Sequence, residues 1–225
     1  MCKSLRNISW LMAILLILFM SPFAFANSAN LLQNSSFEKA DGNGLPAEWG
    51  TLTDGLANGT VTFSVSGEKA LSGKSSAKIG VTVIADPPKV KKLEGIFRQT
   101  VPAKGGQLYK LTFNYYRDNI SMVMPYIVFQ DSDGEKIVDI DDSCIHSYSN
   151  LEADLSWEVL ANNGALRLSD KESKDLEWIQ RWVVVKAPVG TSQIEIRGSA
   201  KAGTVDWSRA GVVYFDDISV EPFVE

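Results

Sequence analysis

From residue 60 onward the chain is built on a period of two, and that alternation limits its possible folds more than any other feature. Residues 108–117 show it best. Tyr109, Leu111, Phe113 and Tyr115 fall on one side of an extended segment, with Lys110, Thr112, Asn114 and Tyr116 on the other. The first row is a core face. Similar runs, rich in β-branched and aromatic residues, occupy 60–66, 76–84, 95–101, 122–130, 178–186, 192–198 and 212–221. Turn chemistry separates them at Ser72-Gly73, Lys104-Gly105-Gly106, Asp133-Gly134 and Pro188-Val189-Gly190. Strands of this number without crossover helices predict one all-β domain, an antiparallel jelly-roll β-sandwich.

Two segments depart from the pattern. Across 138–177 the alternation lapses into an acidic insertion, in which a short helix over 150–161 or an irregular hairpin is expected. Trp157, Leu160, Leu166 and Leu168 need burial, which argues against disorder. Residues 1–26 read as an export leader: Lys3 and Arg6 precede an apolar stretch that ends at Ala24-Phe25-Ala26. Export to the periplasm or the cell exterior is therefore expected, with no membrane attachment once the leader is cut. Two of the 22 basic residues leave with the leader, so 20 remain against 27 acidic, a net charge of about −7. Nucleic acid is an unsuitable partner for such a chain. Cys2 also leaves, so Cys144 has no disulfide partner and is read as a buried, unreactive thiol.

The two ends share a feature. The closing segment is Tyr214-Phe215-Asp216-Asp217-Ile218-Ser219-Val220. In a regular strand Asp216 shares a side with Ile218 and Val220, so an acid is expected to face the core. There it must be neutralised, paired with a cation or bound to a metal. Glu38, beside Phe37 in the opening segment, is the candidate to share that cation.

Several ordered segments now combine. They are Asn30-Leu31-Leu32-Gln33-Asn34-Ser35-Ser36-Phe37-Glu38, then Leu45-Pro46-Ala47-Glu48-Trp49, then Leu71-Ser72-Gly73-Lys74-Ser75-Ser76-Ala77-Lys78-Ile79. Arg98-Gln99-Thr100-Val101, Tyr109-Lys110-Leu111-Thr112-Phe113, Trp182 with Ala187-Pro188-Val189-Gly190, and Phe215-Asp216-Asp217-Ile218-Ser219-Val220 complete the set. In this order they resemble the CenC-type carbohydrate-binding modules, the group of families 4, 9, 16 and 22 related to galactose-binding-like domains. The resemblance implies a noncatalytic jelly roll that binds poly- or oligosaccharide and carries a structural calcium. It implies Glu38 and Asp216 as calcium ligands, with carbonyl oxygens of the 69–72 turn completing the shell. The alternative is that Asp216 pairs with a lysine or caps a turn.

A sugar site combines an aromatic platform with side chains that donate and accept hydrogen bonds. Trp49 and Trp182 are assigned to the core. Tyr116, Tyr126 and Gln130, with Asn114 and Arg117, are placed on the non-core face of two adjacent strands, with Trp157 or Trp178 as a wall. The same aromatics could instead cover the second sheet. Catalysis has one candidate, the acids Glu152, Asp154 and Glu158, which would share a face if that segment were a strand, as in jelly-roll glycoside hydrolases. His146 is the sole histidine, which excludes histidine triads and multi-histidine zinc sites. Asp131-Ser132-Asp133-Gly134 reads as a hairpin turn. The function expected is noncatalytic glycan binding, with a separate carbohydrate-active enzyme as a further partner; the alternatives are a hydrolase or its accessory module, or an adhesive surface protein.

Overall fold

Alternating segments close against one another as two antiparallel sheets, β1 to β13 in chain order. A computed structural model describes residues 29–83, 93–120, 122–148, 157–162, 164–170, 176–202 and 211–224. The expected leader therefore lies outside the described residues, as do Glu152 and Asp154. The first strands are β1 (Gly50–Asp54), β2 (Gly59–Ser66), β3 (Ser76–Val83), β4 (Leu93–Pro102) and β5 (Leu108–Asp118). They are followed by β6 (Met122–Val123), β7 (Tyr126–Gln130), β8 (Ile145–Tyr148), β9 (Trp157–Asn162) and β10 (Ala165–Asp170). The last are β11 (Trp178–Lys186), β12 (Gln193–Ala202) and β13 (Gly211–Phe223). One sheet runs β2-β3-β13-β5-β11-β8; the other has the order β1-β4-β12-β6-β10-β7, with β9 paired to β10 and β7 also paired to β12. Among the described residues the only helical pieces are two 3-10 turns of three residues, at Leu56–Asn58 and Asp142–Cys144.

The inner faces are the rows read from alternation. Leu111, Phe113 and Tyr115 of β5, Val183 and Val185 of β11 and Phe215 of β13 meet Phe97 of β4, Ile127 and Phe129 of β7, and Ile194 and Ile196 of β12. Trp49 belongs to this core as expected, with its ring centroid 5.0 Å from that of Phe37 and its Nε1 donating to the Gln33 carbonyl at 3.2 Å. Trp182 does not. Its strand position opposite Thr112 turns it outward, where the Lys110 ammonium lies 5.5 Å from its ring centre.

The expected neighbourhood of 108–117 and 122–130 is corrected by the topology. β5 lies in the six-stranded sheet and β7 in the other. Between them Asn119 adopts a left-handed conformation (φ 53°) and Ile120 is fully buried, which carries the chain across the sandwich. Pro125, without an N–H, falls in the gap that splits this run into β6 and β7. Asp131 accepts the N–H groups of Asp133 and Glu135 at 2.9 Å each, an Asx turn that supports the hairpin reading.

The insertion contributes strands. Of the two conformations expected there, the hairpin is the one observed: β9 and β10 pair from Ala165↔Asn162 to Asp170↔Trp157, so 157–161 is not helical. Gly164 serves the turn at φ 71°, where a Cβ would sit 2.7 Å from the Ile137 carbonyl oxygen. Leu166 and Leu168 are fully buried in the common core. If this hairpin is an integral part of the sandwich, Leu166→Ala will lower the unfolding free energy by about 2–5 kcal/mol, measured by urea denaturation. A loss within a few tenths would mark the hairpin as peripheral.

Candidate functional site

The two ends of the described chain are joined by hydrogen bonds. Leu31 N donates to the Val220 carbonyl at 2.8 Å, Val220 N to Asn30 Oδ1 at 2.9 Å, and Ile218 N to the Ser35 carbonyl at 3.1 Å. The turn between β2 and β3 closes over this junction. Asp216 Oδ2 accepts the N–H groups of Leu71 at 2.8 Å and Ser72 at 3.1 Å, while Glu38 Oε1 accepts those of Lys74 at 2.8 Å and Ser75 at 2.9 Å. Gly73 stands between the two pairs at φ 61°, where a Cβ would lie 2.3 Å from Glu38 Oε1. A side chain there would displace the glutamate.

Asp216 is fully buried, yet it does not face the core as the regular alternation predicted. It pairs with Asn114, and the register then slips by one residue before Ser219↔Thr112. Asp217, at φ 44°, is the extra residue of this β-bulge. The bulge reverses the alternation. Asp216 thus shares the outer side with Tyr214 and Asn114, while Ile218 and Val220 turn inward. Burial pushes its carboxyl up to about 6, against the opposing effect of the Ser72 and Leu71 N–H groups. Glu38 moves the other way, held below its ordinary value by the Lys74 and Ser75 N–H groups.

These residues fit a hard cation in part. Two carboxylates and the Lys69 carbonyl converge on one turn, all oxygen donors, and the buried Asp216 has no cationic side chain among its described partners. No three acidic, histidine or cysteine side chains converge among the described residues, so a cation here would take most of its shell from main-chain oxygens.

The residues expected to form a single sugar cleft are separated by the topology, which is a second correction. Tyr116, Asn114 and Trp178 lie on the outer face of the six-stranded sheet, Tyr126 and Gln130 on the outer face of the other. Tyr116 is buried between Trp178 and Tyr214, both in edge-on contact at 5.9 Å between centroids, with the Lys69 ammonium 4.9 Å from its ring centre. Asn114 donates to the Asp217 carbonyl at 3.0 Å and accepts from Gln180 at 3.0 Å. Arg117, expected on the outer face, is on the inner side of β5 and 1% exposed, donating to the Ile120 carbonyl at 2.5 Å. Trp157 and Glu158 lie on β9, whose side chains at these positions are not described.

The outer face of the seven-stranded sheet was missed by sequence reasoning, because it exists only through strand register. Gly50 pairs with Arg98, Arg98 with Arg197, Arg197 with Tyr126, and Tyr126 with Arg167. Three arginines and a tyrosine therefore form one row across β4, β12, β7 and β10, with Gly50 of β1 at its end. Glu195, 4% exposed, binds Arg98 NH1 at 3.3 Å and Arg197 Nε at 2.5 Å. Glu94, 1% exposed, accepts the Tyr126 hydroxyl at 3.0 Å and the Ser199 hydroxyl at 2.5 Å. Burial and the Glu94 charge push the Tyr126 hydroxyl well above its ordinary value. Two hollows open on this face. One of about 470 Å³ is lined by Gln33, Glu48, Arg98, Gln99 and Glu195, the other of about 370 Å³ by Asp54, Glu94, Tyr126, Lys136, Arg167 and Arg197.

No protein-family model matches this chain, and no curated protein is similar enough in sequence to count as a relative. Solved structures do match. The enzymatically active domain of Bacteriophage CBA120 tailspike protein 4 superposes at TM-score 0.55 and 15% identity over 86% of this chain, which spans 21% of the tailspike chain. The Stig cyclase Fisc from Fischerella sp. TAU matches at 0.51 and 13% identity, over 88% of this chain and all of that one. TmCBM61, solved with β-1,4-galactotriose, matches at 0.48 and 16% identity, over 87% of this chain and all of the module. The likeness is one of fold. The tailspike domain and the cyclase share the fold of this chain at identities that leave the chemistry of each face to be read from its own residues.

Chemically, the row of guanidinium groups with its buried glutamates offers fixed donors and acceptors at the floor of an open face. The terminal junction offers a buried carboxylate whose charge is costly. Between pH 4 and 6 the folded chain holds a proton on Asp216 that the unfolded chain, with an ordinary value of 3.8, has released. In chelator-treated protein this group therefore adds stability as pH falls from 7 to 4. Glu38 acts in the opposite sense, losing its contribution as pH falls through its lowered value. Thermal melts of wild type and Asp216→Asn at pH 7, 6, 5 and 4 isolate the first effect: the wild type should gain relative to the variant on acidification. A constant difference would refute the assignment.

Proposed function

We propose that this protein binds oligo- or polysaccharide without cleaving it, on the outer face of the seven-stranded sheet. The observation that carries the reading is the pair of hollows floored by Arg98, Glu195, Arg197, Tyr126 and Glu94, whose polar groups are already oriented by bonds to one another. Preorientation lowers the ordering cost of binding a flexible, hydroxyl-rich ligand. The buried acids are ill placed for hydrolysis. Glu94 is engaged by the Tyr126 and Ser199 hydroxyls and Glu195 by Arg98 and Arg197, so each acid is committed to holding its neighbours in place, whereas a glycosidase needs one carboxylate as acid and a second as nucleophile or base across the scissile bond. Asp54 is opposite Glu94 on β1, but Glu94 leans the other way, toward Ser199 and Tyr126.

The resemblance to CenC-type modules agrees with this reading and adds two finer elements to the proposal. One is a structural calcium held by Glu38, Asp216 and main-chain oxygens of the 69–72 turn. The other is export behind the 1–26 leader, which would place the protein outside the cytoplasm, where a separate carbohydrate-active enzyme could act on the same glycan.

Affinity electrophoresis of the protein from Asn27 onward against a panel of plant, algal and microbial polysaccharides tests the function. Retardation by at least one polymer, weakened in Tyr126→Ala, is expected; no retardation by any of them would sink the proposal. For the metal, a chelator should lower the melting temperature and added calcium restore it, because a ligand bound only by the folded state stabilises it. Identical melts, with no calcium found by elemental analysis, would dismiss the ion.

A further inference from the structure

The arginine row carries a statement about the class of sugar, and it rests on the carbohydrate-binding reading above. We infer that the outer face of the seven-stranded sheet recognises an anionic saccharide, one bearing carboxylate or sulfate groups, with Arg167, Arg197 and Lys136 as the contacts to the anion.

Register sets the geometry. The partners Gly50, Arg98, Arg197, Tyr126 and Arg167 occupy five successive strands, a row about 19 Å long at the usual strand spacing. Lys136 joins it from the segment after β7, bridged to Gln130 and lining the same hollow as Arg167 and Arg197. Four cations, Arg98, Arg167, Arg197 and Lys136, thus gather on one face, beside four acids that line the same hollows, Glu48, Glu195, Asp54 and Glu94. The cations crowd each other. The Lys136 ammonium is held below its ordinary value, first by burial and then by the charges of Arg167 and Arg197.

Their neutralisation is uneven. Glu195 is shared between Arg98 and Arg197, while Glu94 is engaged by two hydroxyls, those of Tyr126 and Ser199. Arg167 is exposed, and its one recorded contact among the described residues is with the ring of Tyr126, 5.9 Å from the centroid. Guanidinium groups in this setting present a planar fork that fits carboxylate and sulfate oxygens two at a time. A neutral glucan or xylan would want a bare aromatic platform. On this face, Tyr126 is the aromatic that joins the row, and its ring is already occupied by Arg167.

The test uses affinity electrophoresis and calorimetry with polygalacturonate, alginate, κ-carrageenan, carboxyl-reduced polygalacturonan, xylan and β-1,4-galactan. Binding to polygalacturonate or alginate, lost on carboxyl reduction and weakened by added salt, identifies carboxylate as the anion. Binding to carrageenan instead identifies sulfate. In either case Arg167→Gln and Lys136→Gln, both surface changes that leave the core intact, should each weaken binding by about tenfold. Equal binding to the acidic and carboxyl-reduced polymers, or unchanged affinity in both variants, overturns the anionic inference and leaves carbohydrate binding standing. No binding to any of the six polymers overturns the anionic inference, and together with no retardation on the wider polysaccharide panel it overturns both.

Discussion

Everything at one end of this sandwich hangs on the buried carboxylate of Asp216. Its oxygens accept the main-chain N–H groups of Leu71, Ser72 and Asp217, so the last strand, the turn between β2 and β3 and, through Glu38, the opening segment become one unit. Hydrogen bonds to a charged acceptor are individually worth more than neutral ones, and removing either side would leave buried polar groups without partners. Among the described residues no disulfide assists, and Cys144 is a free, buried thiol whose ionisation is disfavoured by its burial. The chain therefore relies on this polar clasp and on a core that runs through both sheets.

The two outer faces have diverged in chemistry. On the six-stranded sheet, lysines lie against aromatic rings, Lys69 on Tyr116, Lys78 on Tyr214 and Lys110 on Trp182, and Glu68 takes both the Lys78 ammonium and the Tyr214 hydroxyl. Tyr116 and Tyr214 are buried as a result, and their rings face neighbours of their own chain. The seven-stranded sheet presents guanidinium groups and two hollows instead. A surface whose groups satisfy each other laterally is a poor ligand site, while one with oriented groups and open volume is a good one.

How far the sequence reads follows from the range of each interaction. Local alternation and turn residues locate β2, β3, β4, β5, β11 and β13 within two residues at each end and place Leu111, Phe113 and Tyr115 in the core, but they read β6 and β7 as one strand and end β12 four residues early. The joined ends were visible in the motifs around Glu38 and Asp216. What local pattern lacks is sheet membership: nothing around Asn119 announces that the chain crosses from one sheet to the other, so Tyr116 and Tyr126 were grouped on one face. The short strands β1 and β8 have weak alternation and escape local pattern for that reason, and in the insertion the pattern leaves the β9–β10 hairpin open against a short helix. The arginine row was invisible because Arg98, Arg167 and Arg197 are scattered in sequence and meet only through cross-strand pairing. Asp216 failed differently. Ile218 and Val220 face the core as expected, but one left-handed residue puts Asp216, and Tyr214 with it, on the opposite face.

That left-handed residue gives β13 two frames. Residues up to Asp216 keep one phase of in and out, and those from Ile218 onward keep the other, so the outer acid and the inner Ile218 and Val220 coexist only because Asp217 absorbs the shift. The strand is consequently intolerant of any odd change in length at this point. Losing one residue would rejoin the phases and set either the carboxylate or the two aliphatic side chains on the wrong side, while a paired loss would preserve both. Length variation among chains built on this plan should therefore avoid the segment from Phe215 to Ser219 and collect in the connections between strands.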